Sequence, residues 1–374
     1  MASTQDPASE TLDRIAVRPL VKRLQYAAAA GALQTLVSVA GVKSYFSKPT
    51  ESAPDLTKTY PVRPSLPISI FFPKTYDRAN PSASPLPVFF TIHGGGFVLG
   101  SVADTNTWNR LFSTEHNCVV IGLNYAKAPA NPYPGPTADI VALFTAVLSD
   151  TTLPIDHSKI ALGGWSAGGN LALSAAQHPD VRELVKALVP IYPVTDFSIP
   201  PERKPATRRF KPELGGFRAK GTDYLMPFAG LFDWAYCPAG GDAKDPGLSV
   251  GYVEREAIPK SVFVVGCEMD MLGHEGWRLA CKLGGKEVMG KVVGREEVGK
   301  RGELEVDDER FFWEAKRDDG GVVRWLLVPD VLHGFDMDLA GIGADEEALE
   351  DGRLKADKMR TMIGEWLREN AWCK

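Results

Sequence analysis

A nucleophile and a base stand out first. Ser166 lies in Gly164-Trp165-Ser166-Ala167-Gly168, between the apolar run 159–163 and the small-residue run 170–176. Strand, sharp turn and helix is the setting in which a Gly-x-Ser-x-Gly serine is held out for attack on a carbonyl. Glycines suit that turn because it is crowded and strained, and a Cβ would obstruct it. His333, in Leu332-His333-Gly334-Phe335, follows the strand-like run 322–328, so a loop can bring its imidazole to the serine as general base. His93 stands beside glycines upstream, whereas His116, His157, His178 and His274 lack such a placement.

An acid and an oxyanion site complete the set. The short β-branched run 261–266 ends in Cys267-Glu268-Met269-Asp270, so two carboxylates lie just past a strand's carboxyl end, the edge where open α/β sheets gather their ligands. Either could orient the histidine, and Asp196 is a third candidate. Upstream, the strand-like run 86–92 leads into His93-Gly94-Gly95-Gly96-Phe97, 73 residues before the serine. Consecutive glycines leave backbone N–H groups free to converge on a developing negative charge. Spacing does not say which loop glycines donate. With Asp270 as the acid, the chain order is Ser166, Asp270, His333, the order stated for α/β-hydrolases.

These segments, together with Ser166-Ala167-Gly168-Gly169-Asn170 and Asp270-Met271-Leu272 followed by Glu275-Gly276, resemble the hormone-sensitive-lipase-like branch of the α/β-hydrolase superfamily. The resemblance extends from about Pro61 to the C-terminus. It implies a mostly parallel central sheet flanked by helices with a helical cap, and selects Asp270 over Glu268, which then reads as structural. It implies an oxyanion hole of Gly95, Gly96 and Ala167. Two departures stand out. Trp165 replaces the acidic residue that the family usually carries before the serine, and residues 124–130 lack the family segment's Arg and Glu. Phe97 and Trp165 are expected to border the substrate pocket, Trp165 narrowing it.

The organisation follows from composition shifts. Residues 1–60 read as N-terminal arm and cap, 61–197 as the first part of the core, 198–250 as a cap insertion bounded by proline- and glycine-rich stretches, and 251–374 as the second part. The insertion carries Phe210, Phe217, Tyr224, Phe228, Phe232, Trp234 and Tyr236, expected to serve packing and pocket alike. Residues 284–321 mix charges of both signs with glycine, and a solvated loop is expected there, with a lid as the functional alternative. Apolar residues at helical spacing make 354–370 an amphipathic helix.

The chain of 374 residues is 44% hydrophobic and 24% charged with a net charge of −5, which gives no basic face for nucleic acid. Neither a phosphate loop nor a metal motif is present in the sequence, so no cofactor and no metal is expected. The five cysteines are scattered and odd in number, which fits a disulfide-free cytoplasmic protein. Residues 26–42 are uncharged but only mildly apolar; a cap helix is expected there, with membrane association as the alternative. The expected activity is hydrolysis of small to medium uncharged esters, acetyl or short-acyl, through an acyl-enzyme. Lactone opening, amide cleavage and acyl transfer are open to the same machinery. A noncatalytic small-molecule receptor of the same fold is the reading from another class, and His333 argues against it. A scaffold using residues 284–321 is a third.

Overall fold

In the structure of the protein, a computed structural model, residues 11–45, 51–78 and 85–372 are described, with the backbone alone for 38–45. Nine strands form one sheet: β1 (Leu56–Tyr60), β2 (Arg63–Phe71), β3 (Leu86–Ile92), β4 (Val119–Leu123), β5 (Ile155–Trp165), β6 (Val185–Ile191), β7 (Ser261–Cys267), β8 (Phe312–Lys316) and β9 (Val322–Val328). Their spatial order is β1-β2-β4-β3-β5-β6-β7-β9-β8. Pairing is parallel from β4 to β9 and antiparallel at the two edges, in agreement with the expected fold class. The central strands are continuous apolar runs because both their faces are covered; β4 and β7 are buried at every position.

Helices cover the faces. They are α1 (Leu20–Tyr45), α2 (Asn106–His116), α3 (Gly135–Leu148), α4 (Ala167–Ala175), α5 (Pro179–Arg182), α6 (Met226–Tyr236), α7 (Gly273–Gly284) and α8 (Glu346–Leu367). The amphipathic C-terminal segment is α8. It starts eight residues before the expected boundary, at a first turn capped by the Asp345 carboxylate, which accepts from the Ala348 N–H at 3.0 Å. Met359, Ile363, Trp366 and Leu367 bury its apolar face against Phe263 and its neighbours on the sheet.

Two expectations need correction. Residues 56–60, read as part of the arm, form the edge strand β1, because Leu56 to Lys58 pair in antiparallel register with Ile68 to Ile70. Residues 284–321 are not simply a solvated loop. Phe312–Lys316 is the outer strand β8, with Trp313 packed on Trp277, and the backbone before it is tied to buried carboxylates: Arg295, Gly299 and Gly302 donate N–H bonds to Glu268, Asp330 and Asp351. Alternating charge along this stretch hid those anchors, since the partners come from distant parts of the chain.

Residues 26–42 lie within α1, which packs on α6 of the insertion. The Tyr26 and Trp234 rings are 5.8 Å apart, and the Gln34 amide donates to the carbonyls of Val98 and Ala128 at 3.1 and 2.9 Å. Among the described residues no helix is long and apolar enough to cross a membrane.

Candidate active site

Ser166 stands between the end of β5 and the start of α4 with φ 53° and ψ −116°, a conformation that costs free energy for a residue with a Cβ. Its neighbours make the turn possible. A Cβ on Gly168 would lie 2.1 Å from the Ile92 carbonyl oxygen, so only glycine lets α4 approach β3 this closely. The serine therefore projects above the carboxyl edge of the sheet, where β7 and β9 deliver the other two groups.

The structure brings Ser166, His333 and Asp270 together. His333 Nε2 is 2.8 Å from Ser166 Oγ, and His333 Nδ1 is 2.7 Å from Asp270 Oδ2. The other oxygen of Asp270 accepts the Leu272 N–H at 2.9 Å, and the Tyr224 hydroxyl holds the His333 carbonyl at 2.7 Å. Burial favours the neutral imidazole, but the charge and hydrogen bond of Asp270 outweigh it, and the His333 pKa is raised above its usual 6.5. Asp270 and His333 are both buried. Linked in series within hydrogen-bond reach, the three groups form an arrangement that can act as nucleophile, base and orienting acid.

Glu268 is occupied elsewhere. It accepts from Lys211 Nζ at 2.8 Å and from the Arg295 and Asp330 N–H groups at 2.8 and 2.9 Å. Lys211, with no exposed surface, also reaches Asp330 Oδ1 at 2.5 Å and the Glu297 carbonyl at 2.8 Å. The Lys211 ammonium thus joins the segment two residues before Asp270 to the segment three residues before His333. Asp196 is paired with Arg278 at 2.7 Å and accepts from Ser198.

The glycine loop runs past the serine with Gly95 at φ 106° and Gly96 at φ 59°. A Cβ on Gly95 would meet the Leu99 carbonyl oxygen at 2.3 Å, and one on Gly96 would meet the Phe232 ring at the same distance. Ala167, whose N–H opens α4, lies directly after Ser166. Beneath the loop the His93 ring stacks on Tyr125, with centroids 4.6 Å apart. Its Nδ1–H donates to the Gly94 carbonyl at 2.8 Å, and its Nε2 accepts from Lys127 at 3.0 Å. That assignment requires a neutral ring, which burial and then the Lys127 charge secure by lowering the His93 pKa to about 3.

A cavity of about 510 Å³ opens over Ser166 and His333, bordered by the glycine loop and by Tyr224, Phe228 and Phe232 of the insertion. Phe97 and Trp165 border it too, yet each is 2% exposed with its ring engaged by neighbours. Phe97 stacks on Tyr236 at 3.5 Å. The Trp165 ring meets Trp108 edge-on at 4.9 Å, and its Nε1–H donates to Asp336 at 2.7 Å, so little of it is left to narrow the pocket. Sequence reading missed Asp336, which also accepts from the Tyr192 hydroxyl at 2.5 Å. The available signal was an acid three residues after the base in a chain lacking the usual acid before the serine. Among the described residues no group of three or more His, Cys, Asp or Glu could hold a metal ion, and Cys118, Cys237, Cys267 and Cys281 are unpaired and buried.

A family profile described as alpha/beta hydrolase fold matches residues 89–300, from β3 through α7 and beyond. The chain belongs to the α/β-hydrolase fold family. Within that family it falls in the hormone-sensitive-lipase-like branch. This family member is 30% identical over 225 residues to an ethyl acetate hydrolase of Pseudomonas putida, covering 57% of this chain and 64% of that protein. It is 31% identical over 125 residues to a versiconal hemiacetal acetate esterase of Aspergillus parasiticus, covering 33% and 38%, and 30% identical over 152 residues to mouse arylacetamide deacetylase, covering 37% of each. In each case less than two thirds of the relative's length is matched. An esterase of Pyrobaculum calidifontis superposes with a TM-score of 0.62 at 21% identity, over 94% of this chain and 99% of that one. At that identity the likeness concerns the fold alone.

Proposed function

We propose that the protein is a serine carboxylic ester hydrolase in which Ser166 attacks the ester carbonyl, His333 takes its proton and Asp270 holds the imidazole in the productive tautomer. The single observation that carries this reading is the unbroken relay from Asp270 Oδ2 to His333 Nδ1 at 2.7 Å and from Nε2 to Ser166 Oγ at 2.8 Å. As the tetrahedral intermediate forms, its oxyanion is received by backbone N–H groups of Gly95, Gly96 and Ala167. His333 then hands the proton to the leaving alkoxide, and water, deprotonated by the same imidazole, releases the acyl group from Ser166.

The positively charged imidazole that forms in the first step sits against a buried carboxylate, which stabilises it where water cannot. The apolar walls of the cavity favour an uncharged ester of small to medium size. Relatives named for ethyl acetate, versiconal hemiacetal acetate and arylacetamides support short acyl groups, acetyl above all. The His333 contact argues against a receptor that merely closes its cap over a ligand. A fluorophosphonate probe tests the reading: it labels the wild type and neither Ser166→Ala nor His333→Ala. An unlabelled wild type refutes it.

A further inference from the structure

The cavity over Ser166 is mostly apolar, and outside the triad its charged borders are Asp104, Lys204 and Asp233. Two of these three are spoken for. Asp104 accepts from the Ser101 N–H at 3.1 Å and from its hydroxyl, closing the short turn after the glycine loop. Lys204 pairs with Glu275 at 2.7 Å, and Glu275 in turn accepts the Thr195 N–H at 2.7 Å. Asp233 makes no ion pair or side-chain hydrogen bond among the described residues.

The surrounding charges are already balanced without it. Lys204 is paired with Glu275, Arg278 with Asp196, and Arg18 lies 4.0 Å from Glu202. Asp233 is the odd carboxyl in this group, and burial pushes its pKa up to about 7 against the downward pull of Lys204. Its place in the helix adds to the cost. Asp233 is in the last turn of α6, where the negative end of the helix dipole disfavours an anion. A carboxyl that bonds to nothing among the described residues and borders a cleft is placed to meet something that enters the cleft.

Its position says what part of a ligand it meets. The preceding residue, Phe232, lays its ring against Gly96, so α6 carries Asp233 into the same cavity that the glycine loop borders. On its other side Asp233 borders a second cavity of about 480 Å³, under the arm residues 12–18, and Phe197 and Pro201 border both chambers with it. The carboxyl therefore stands where the two chambers adjoin, and it meets a part of the ligand other than the scissile carbonyl.

Resting on the reading of Ser166 as an ester nucleophile, we infer that Asp233 is a specificity-determining residue whose carboxyl receives a hydroxyl on a part of the substrate other than the scissile carbonyl. The preferred substrates are then hydroxylated esters. A hydroxyl suits the site because it can donate to the carboxylate and accept from the protonated carboxyl, and so is held in either state, whereas an ammonium is held by the anion alone.

Binding of intact esters to Ser166→Ala protein tests this independently of turnover. Calorimetry compares ethyl hexanoate with its ω-hydroxy counterpart, and hexyl acetate with its ω-hydroxy counterpart, so that the hydroxyl is placed on the acyl side in one pair and the alcohol side in the other. At least one hydroxylated ester is expected to bind about fivefold tighter than its plain partner or better, the worth of one hydrogen bond. Adding Asp233→Leu removes that preference, and adding Asp233→Asn, which keeps an accepting oxygen, retains most of it. A loosened α6 would weaken both members of a pair equally, so the ratio within a pair is the readout. Equal binding within both pairs, a preference that survives Asp233→Leu, or no binding of any ester overturns the proposal. Turnover of the plain esters by the wild type is read separately: its absence overturns the esterase reading and leaves the binding ratio to report on Asp233.

Discussion

Replacing Lys211 by Met removes one ammonium and strands two carboxylates. In the folded protein Lys211 Nζ lies 2.8 Å from Glu268 and 2.5 Å from Asp330, with all three side chains 2% exposed or less. Taking away one partner of a buried ion pair costs about 3–5 kcal/mol, because the remaining charge has no water to turn to. A chain of 374 residues unfolds with an entropy of about 0.8 kcal/mol/K, at roughly 2.1 cal/mol/K per residue, so the melting temperature should fall by about 4–6 °C. Differential scanning calorimetry with a rescan measures it. Burial already raises the Glu268 pKa, so acidification should protonate the stranded Glu268 and narrow the deficit. Because Glu268 and Asp330 precede Asp270 and His333 by two and three residues, kcat for a Ser166-dependent ester should fall more than KM rises. A triple change, Lys211→Met with Glu268→Gln and Asp330→Asn, should recover most of the lost stability. A Lys211→Met protein that melts within about 1 °C of its parent would refute the reasoning, since it would mean that water reaches the carboxylates.

Other substitutions separate the roles of neighbouring groups. Asp270→Asn should lower kcat by about 10⁴, as expected when the orienting acid is lost, whereas Glu268→Gln should act mainly on stability; steady-state kinetics and thermal unfolding distinguish them. With neutral His333 as the proposed base and its pKa raised, the acid limb of kcat/KM should lie above pH 6.5; a pH–rate profile checks this. The stability from the His333–Asp270 pair has the opposite sense: it is fully present below about pH 6.5 and is lost as pH rises through the raised value. Gly95→Ala, whose Cβ would lie 2.3 Å from a backbone oxygen, should displace the loop and lower kcat about a hundredfold or more, as steady-state kinetics would show.

What could be read in advance was whatever is local in the chain. β3 and β9 coincide with the expected runs 86–92 and 322–328, because a buried strand announces itself as an unbroken apolar segment between polar turns. Ser166 and His333 were legible for a related reason: each stands in a glycine-marked turn directly after such a strand. The groups that escaped notice depend on encounters across long stretches of chain. Lys211 meets Asp330 over 119 residues with nothing in the surrounding composition to signal it, and Trp165 meets Asp336 over 171, signalled only by an acid three residues after His333. Strand β8 was hidden for another reason. Its Phe-Trp-Glu-Ala-Lys sequence has charges facing solvent at a sheet edge, and its apolar content is too brief to stand out from the charged residues on either side.

The three-way contact at Lys211 bears on how freely caps can be exchanged among proteins of this fold. An insertion grafted from a relative without a lysine at this point would arrive over two carboxylates that belong to the recipient's own strand ends, and would seat on an unneutralised double charge. A recipient core lacking those acids would leave a donor's lysine equally stranded. The cap and the core of this chain are therefore not separable modules: a chimera that respects the boundaries of the insertion but not positions 211, 268 and 330 inherits a fault at its seam.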